Sequence, residues 1–347
     1  MERVVYILGA GFSAPLGIPV MSNFILKAKD LYFKEPESFS HFKKIFDLLD
    51  NMSKIKNYFQ SDLYNIEEVL SILEMNDYLN GENNSEKFKR FISDVITNFT
   101  PTVQGYKENL PGNWYDFVFG TNNLQRMYGY FVGNLLNARV KLDNRYLSWD
   151  NYDSPNTNYS VISFNYDRVL ESYVDYMGNN GIISDDYGFS DGTNELSSSK
   201  SLLLKIHGCV EKKNIVPPTW NKYSNPDLLI TWQSAWKALT NANHIRIIGY
   251  SLPLSDSYIK YFLKSSIYGS HHLKSIDVIT LDNSSGQETR KRYDEFIDFN
   301  YYRFKNANIL DYLEFLYNNN KVNSFNSNAI INFNELENSH NLFMNNN

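Results

Sequence analysis

A single cysteine, Cys209, stands in 347 residues. One thiol excludes an intrachain disulfide and any zinc site built from several cysteines, so no metal is expected. An excess of positive charge is also missing: 33 lysines and arginines against 39 acids leave a formal charge of -6. That balance argues against a chain that wraps nucleic acid by bulk charge, and no direct sequence-specific nucleic-acid binding is expected. No stretch reaches the roughly 18 consecutive apolar residues of a membrane span. A secretion leader is not expected either. Arg3 precedes Val4-Val5-Tyr6-Ile7-Leu8, but Gly9, Gly11, Pro15, Gly17 and Pro19 break the apolar run, and Glu2 offsets the arginine. The expectation is a cytoplasmic protein with no membrane partner. No internal repeat is visible.

Aromatic residues are plentiful at 16%, which supplies a sizeable core and excludes a disordered chain. The length fits two domains, or one large α/β domain with an insertion. Asparagine is frequent, 45 in all, which reads as codon usage in an AT-rich genome rather than as function. Five apolar, β-branched stretches predict buried strands: Arg3 to Leu8, Tyr159 to Phe164, Leu202 to Ile206, His244 to Ile248 and Ser275 to Leu281. The last four are spaced for crossover connections, the pattern of a parallel sheet covered by helices. Between the first two strands, Ser22 to Tyr32, Phe39 to Met52, Ser61 to Tyr78, Ser85 to Phe99 and Asn122 to Leu142 read as helices. The fold class expected is therefore α/β, a Rossmann-like parallel sheet with a large helical insertion. The core takes residues 1–24 and 155–317, the insertion 25–154, and an asparagine-rich mobile tail 318–347, where 13 of 30 residues are asparagine.

Each predicted strand ends in residues that can carry chemistry. The first runs into Gly9-Ala10-Gly11-Phe12-Ser13 and on to Gly17-Ile18-Pro19. A strand ending in Gly-x-Gly before a helix lets backbone approach a pyrophosphate, although Ala14 stands where the full dinucleotide fingerprint wants a third glycine. The second ends in Ser163-Phe164-Asn165-Tyr166-Asp167, whose amide and acid suit either a ligand or a helix N-cap. His207, before Gly208 at the third strand end, suits acid/base work or a satisfied core position. The fourth ends in Gly249-Tyr250-Ser251-Leu252-Pro253 with Asp256 beyond, a phosphate or ribose contact or a plain strand-to-helix turn. At the fifth, Asp282 or Asn283 is expected to accept from a ribose hydroxyl. In a parallel sheet all five ends share one edge.

That ordered set resembles the sirtuin superfamily. Phe164-Asn165-Tyr166-Asp167, Pro217-Pro218-Thr219-Trp220, Gly249-Tyr250-Ser251-Leu252-Pro253 and the Ile66-Glu67-Glu68-Val69-Leu70 helix resemble most the sirtuin-like NAD hydrolases of bacterial antiphage defence, over about Val4 to Asn283. The resemblance implies an NAD glycohydrolase that depletes NAD in abortive infection, with NAD as substrate and no metal. It implies that His207, Asn165 and Asp167 are catalytic. Gly9, Ala10, Gly11, Phe12, Ser13, Pro19, Asn165, Asp167, Gly249, Tyr250, Ser251 and Asp282 would bind NAD. The departures from deacylases agree with this. The four-cysteine module between the His-Gly and Gly-x-Ser motifs is absent, Gly17-Ile18-Pro19 continues as Val20-Met21-Ser22 without the arginine, and Phe164 replaces a glutamine. A non-catalytic NAD or ADP-ribose binding module and a zinc-independent deacylase are the alternatives. Activity is expected to be gated by assembly, in a homo-oligomer and with a co-encoded partner such as an ATPase of the HerA type.

Other features read as structural. Trp232, Trp236 and Leu239 fall at helical spacing and predict core packing. His271-His272 reads as an exposed loop, and Lys212-Lys213 and Arg290-Lys291-Arg292 as solvated faces.

Overall fold

The computed structural model describes the chain except residues 106–113, 144–145, 152–155, 184–187, 193–199, 217–225, 255, 283–284, 320–329, 333–335 and 347. Asn283 and Pro217-Pro218-Thr219-Trp220 therefore lie outside the described residues. Among the described residues ten strands form: β1 (Glu2–Leu8), β2 (Ala138–Asp143), β3 (Tyr146–Asn151), β4 (Thr157–Ser163), β5 (Phe189–Ser190), β6 (Ser201–Lys205), β7 (His244–Ile248), β8 (Ser275–Thr280), β9 (Tyr302–Asn306) and β10 (Ile330–Asn332). Seven make one sheet in the order β5-β6-β4-β1-β7-β8-β9, with every pairing parallel. This is the Rossmann-like α/β fold expected. The order reverses direction at β1, so the switch point lies between β1 and β7, where open sheets of this kind bind ligands at the carboxyl edge.

The continuous apolar run of β1 follows from burial on both faces. Val4, Tyr6 and Leu8 point to one core, which holds helices Asn123–Leu135, Ile309–Asn319 and Leu336–Asn345. Val5 and Ile7 point to the other, under helices Pro226–Thr240, Ser257–Tyr268 and Glu288–Phe296. A third cluster sits beside the sheet. It is built by helices Phe24–Lys34, Phe42–Met52, Ile66–Asn80 and Asn84–Phe99, and it takes in Tyr166, Cys209, Val210 and Ile215 from the sheet's loops.

Four expectations are corrected. The helix expected over Asn122 to Leu142 stops at Leu135, because Asn137 adopts φ 50°, the left-handed stop that asparagine tolerates, and the chain turns into β2. β2 pairs antiparallel with β3 and β10, so the segment between β1 and β4 is not wholly helical, and helix Asn123–Leu135 packs on the sheet itself. The tail is not uniformly mobile. Residues 336–345 form a helix whose Leu336, His340, Phe343 and Met344 are buried. Its asparagines occupy the outer face, which hides the apolar stripe from composition alone. Trp236 is exposed rather than core, while Leu239 is fully buried. No helix among the described residues is long and apolar enough to cross a membrane.

Candidate functional site

At the switch point two glycine turns lock together. Past the Leu8 to Ile248 pair, the Gly9 N–H donates to Ile248 O at 3.0 Å and the Gly11 N–H to Gly249 O at 2.9 Å. A Cβ on Gly9 would sit 2.6 Å from Gly249 O, and one on Gly11 2.9 Å from Gly249 Cα. Gly249 itself has φ +63°. These glycines are required by the close approach of two loops, and the N–H groups of Gly9 and Gly11 are engaged there rather than aimed at a ligand.

The end of β4 is tied to the same turn. Asn165 Nδ2 donates to Gly9 O at 2.9 Å and to Ser13 Oγ at 3.1 Å. The Ser13 hydroxyl donates in turn to the Asp167 carboxylate, whose Oδ1 also accepts the Val169 N–H at 3.0 Å, at the start of helix Val169–Asn179. Burial pushes the Asp167 carboxyl above its ordinary range, against the pull of Lys205. Lys205 donates to the Asp167 carbonyl and to Glu171. His207 is 2% exposed. Its ring stacks on Phe164 at 5.4 Å and 17°, with Tyr166 at 6.3 Å and Trp232 at 6.4 Å.

All of these turns open on one cleft of about 480 Å³. Gly9, Ala10, Gly11, Ser13, Pro19, Asn165, Asp167, His207, Gly249, Tyr250 and Ser251 all line it. Two expected residues do not. The Phe12 ring lies in the sheet core against Tyr128 and Phe131, and its carbonyl accepts the Tyr128 hydroxyl at 2.5 Å. One residue in a glycine turn must face inward to anchor it, and Phe12 is that residue. The Asp282 Oδ2 accepts the Arg290 N–H at 2.8 Å, at the start of helix Glu288–Phe296, and its backbone pairs with Asn306. The cleft is bordered there by Thr280 instead.

The cleft also holds Asp256, noted beyond the fourth strand end, and Glu67, which strand-end reasoning misses. Glu67 arrives from helix Ile66–Asn80, and Asp256 accepts the Tyr250 hydroxyl at 2.6 Å. Glu67, Asp167 and Asp256 are the charged residues among the described lining, which contains no lysine or arginine. The motif-bearing Ile66-Glu67-Glu68 segment was the available signal for Glu67; nothing in the sequence places it across from β4. No group of three or more metal-ligating side chains occurs among the described residues.

Residues 159–302 match the family model described as a SIR2-like domain. That stretch contains Asn165, Asp167, His207 and Gly249 to Ser251, but neither the first glycine turn nor Glu67. No curated protein matches the chain. Similar solved structures include Sir2 in complex with the inhibitor EX-527, 2'-O-acetyl-ADP-ribose and a deacetylated p53 peptide, at 13% identity over 91% of this chain and 93% of that one, TM-score 0.32. Another is Sir2Tm bound to a propionylated peptide, at 12% identity over 91% and 92%, TM-score 0.37.

Proposed function

We propose that the chain hydrolyses NAD to nicotinamide and ADP-ribose, and that in its cell this depletes NAD as an antiphage response. One observation carries the reading: Asn165, Asp167 and His207, which lie in the stretch that matches a SIR2-like domain, converge with the Gly9 to Ser13 turn on a single cleft. The bond between ribose C1′ and the pyridinium nitrogen breaks with its electron pair going to the ring, so nicotinamide leaves neutral. Positive charge develops on the ribose, and the oxygen of one water adds to C1′. His207 takes the proton that this water gives up, directly or relayed through a ribose hydroxyl whose own proton passes to His207. The three acids of the described lining, with no lysine or arginine beside them there, support this reading, because their field favours a cationic ring and an oxocarbenium-like transition state. Asn165 and Asp167 hold the floor on which the ribose and pyrophosphate would rest, over Ala10 and Gly11. No metal is needed for these steps.

The decisive experiment incubates purified chain with NAD and separates the products. Equal nicotinamide and ADP-ribose without peptide support the proposal. Release that requires an acyl-lysine peptide and gives acyl-ADP-ribose supports a deacylase instead. A binding module is favoured by the commitment of the Asn165 donors to Gly9 and Ser13, and it predicts saturable NAD binding with no turnover. Gating by assembly belongs to the same proposal. Phe33, Tyr58, Phe59, Tyr78 and Leu79 stand exposed on the helical segment and offer surface for a second copy or a partner ATPase. Light scattering well above 40.5 kDa supports it; a monomer fully active in dilute solution refutes it.

A further inference from the structure

A second cavity, of about 490 Å³, shares no residue with the cleft. It is bounded by strands β7 and β8 and by helices Ser257–Tyr268 and Glu288–Phe296. The strands give Ile245, Ile247 and Ile276 to its lining, and the helices Leu263, Ile267 and Phe296. A space of this size and make-up suits an apolar group rather than water.

Two donors at this cavity lack an acceptor. The Ser270 hydroxyl is buried and has no hydrogen-bond partner among the described residues. The Lys264 ammonium lies 5.5 Å from the Phe296 ring centre and pairs with no carboxylate among the described residues. Asp298 is the acid in the lining; it is exposed to water and bonds to neither. A hydroxyl and an ammonium that both want an acceptor select a ligand head with negative charge, and the apolar remainder selects a tail. An unbranched carboxylic acid supplies both. Decanoate, with twelve heavy atoms at roughly 30 Å³ each, the share of a water molecule in the liquid, needs about 360 Å³ and fits.

The helices that bound this cavity also hold Tyr250. Asp256, at the start of helix Ser257–Tyr268, accepts the Tyr250 hydroxyl at 2.6 Å. From helix Glu288–Phe296 the Tyr293 hydroxyl donates to Tyr250 O at 2.8 Å, and Arg292 Nε and Nη2 donate to Ser251 O at 3.2 and 3.0 Å. Tyr250 and Ser251 line the cleft. The spacing of the two helices therefore sets how Tyr250 is gripped at its two ends.

On the reading that this cleft takes NAD, we propose that the cavity is an effector site for a medium-chain aliphatic carboxylate, whose tail braces the two helices and firms the Tyr250–Ser251 turn for the nucleotide. Two ligands that favour one arrangement strengthen each other's binding by a common factor.

Isothermal titration with decanoate tests this, with ADP-ribose as a nucleotide that is not consumed. Wild-type chain is expected to bind decanoate at one saturable site, and decyltrimethylammonium about tenfold more weakly or worse. Saturating ADP-ribose tightens decanoate about fivefold or more, and saturating decanoate tightens ADP-ribose by the same factor. Lys264→Met keeps the length and removes the charge; it weakens decanoate about tenfold and leaves nicotinamide release without decanoate unchanged. Ile267→Trp fills the cavity and abolishes decanoate binding; should it not fold, Ile276→Phe carries the measurement. Tyr293→Phe keeps the decanoate affinity and loses the coupling to ADP-ribose. No saturable decanoate binding, equal binding of the two decyl probes, or decanoate bound undiminished by the filled cavity would each overturn the site. An ADP-ribose affinity unmoved by decanoate overturns the coupling. Wild-type chain that binds neither NAD nor ADP-ribose overturns the nucleotide reading instead, while the decanoate titrations still decide the cavity.

Discussion

Glu337→Ala strips the partner from a buried cation. Arg246 on β7 is 2% exposed, and it meets Glu337 with two nitrogens, at 2.9 and 2.6 Å. The same carboxylate accepts the Tyr159 hydroxyl at 2.9 Å, and Arg246 also donates to the Tyr6 hydroxyl at 2.6 Å. Although burial works against it, the Arg246 charge holds the Glu337 carboxyl below its ordinary range. Removing one partner of a buried pair costs about 3–5 kcal/mol, because the other charge is left uncompensated. The Glu337 side chain is 26% exposed, so water can reach the vacated guanidinium, and a loss of about 3 kcal/mol is expected. At about 2–3 °C per kcal/mol for a chain of this size, melting should fall by roughly 6–9 °C. Urea unfolding followed by circular dichroism measures the free energy directly. Arg246→Met with Glu337→Leu removes both charges at similar volume and should recover at least half of the loss, the remainder reflecting the abandoned Tyr6 and Tyr159 hydroxyls. A Glu337→Ala protein melting within about 1 °C of wild type, or a double variant worse than the single, would refute the reasoning.

His340 is fully buried between Tyr312 and Asp277, at 2.9 and 3.0 Å, and burial, then Arg246, push its pKa down to about 4. The unfolded histidine takes its proton near pH 6.5 and the folded one only near 4, so stability is full above about 6.5 and declines as pH falls between those values, by roughly 3 kcal/mol. Urea midpoints from pH 7 to 4.5 should show this slope, and His340→Gln should flatten it; an unchanged slope would count against the assignment. His207→Ala should lose ~10²–10⁴-fold in nicotinamide release while melting near wild type, and near-normal turnover would remove His207 from the mechanism. Gly249→Ala should abolish turnover and cost well over 2 kcal/mol, since its Cβ would strike backbone of Gly11 and Phe12. Gly17→Ala, also at positive φ but with nothing within 4 Å, should cost only about 1 kcal/mol. Equal effects on denaturant midpoints would contradict the interlocked-loop account.

What could be read from the sequence divides along physical lines. Strands β1, β4, β6, β7 and β8 are legible because central parallel strands are apolar on both faces. Edge strand β9, Tyr-Arg-Phe-Lys-Asn, is half-buried and charged, and β5 has only two residues, so neither leaves such a run. The site is legible where it hangs on strand ends, as at Asn165, Asp167 and His207. It is illegible where tertiary packing alone completes it: Glu67 stands about a hundred positions before Tyr166, and helical periodicity cannot say which sheet edge a helix will face. Phe12 shows the converse, since a motif position need not point at the ligand. The helix Leu336–Asn345 was obscured because its buried polar partners, Arg246 and Asp277, lie on strands far away in sequence.

The two turns at the switch point connect these findings. Tyr6 and Arg246 lie three residues before Gly9 and Gly249 on adjacent strands, and both bond, directly or through one hydroxyl, to the C-terminal helix. Above them, the backbones of Gly9, Gly11 and Gly249 touch with no room for a methyl group. The floor of the cleft is thus a rigid join between two strands, fixed from below by a buried ion pair and from the side by Asn165 and Ser13. The wall opposite is of another kind: Tyr166 packs in the helical cluster beside the sheet, and Glu67 stands on a helix that builds it. A rigid floor suits a pyrophosphate and ribose that must not move during bond cleavage. Under the proposed gating by assembly, this wall on separately packed helices is the part of the cleft that a second copy or a partner would move.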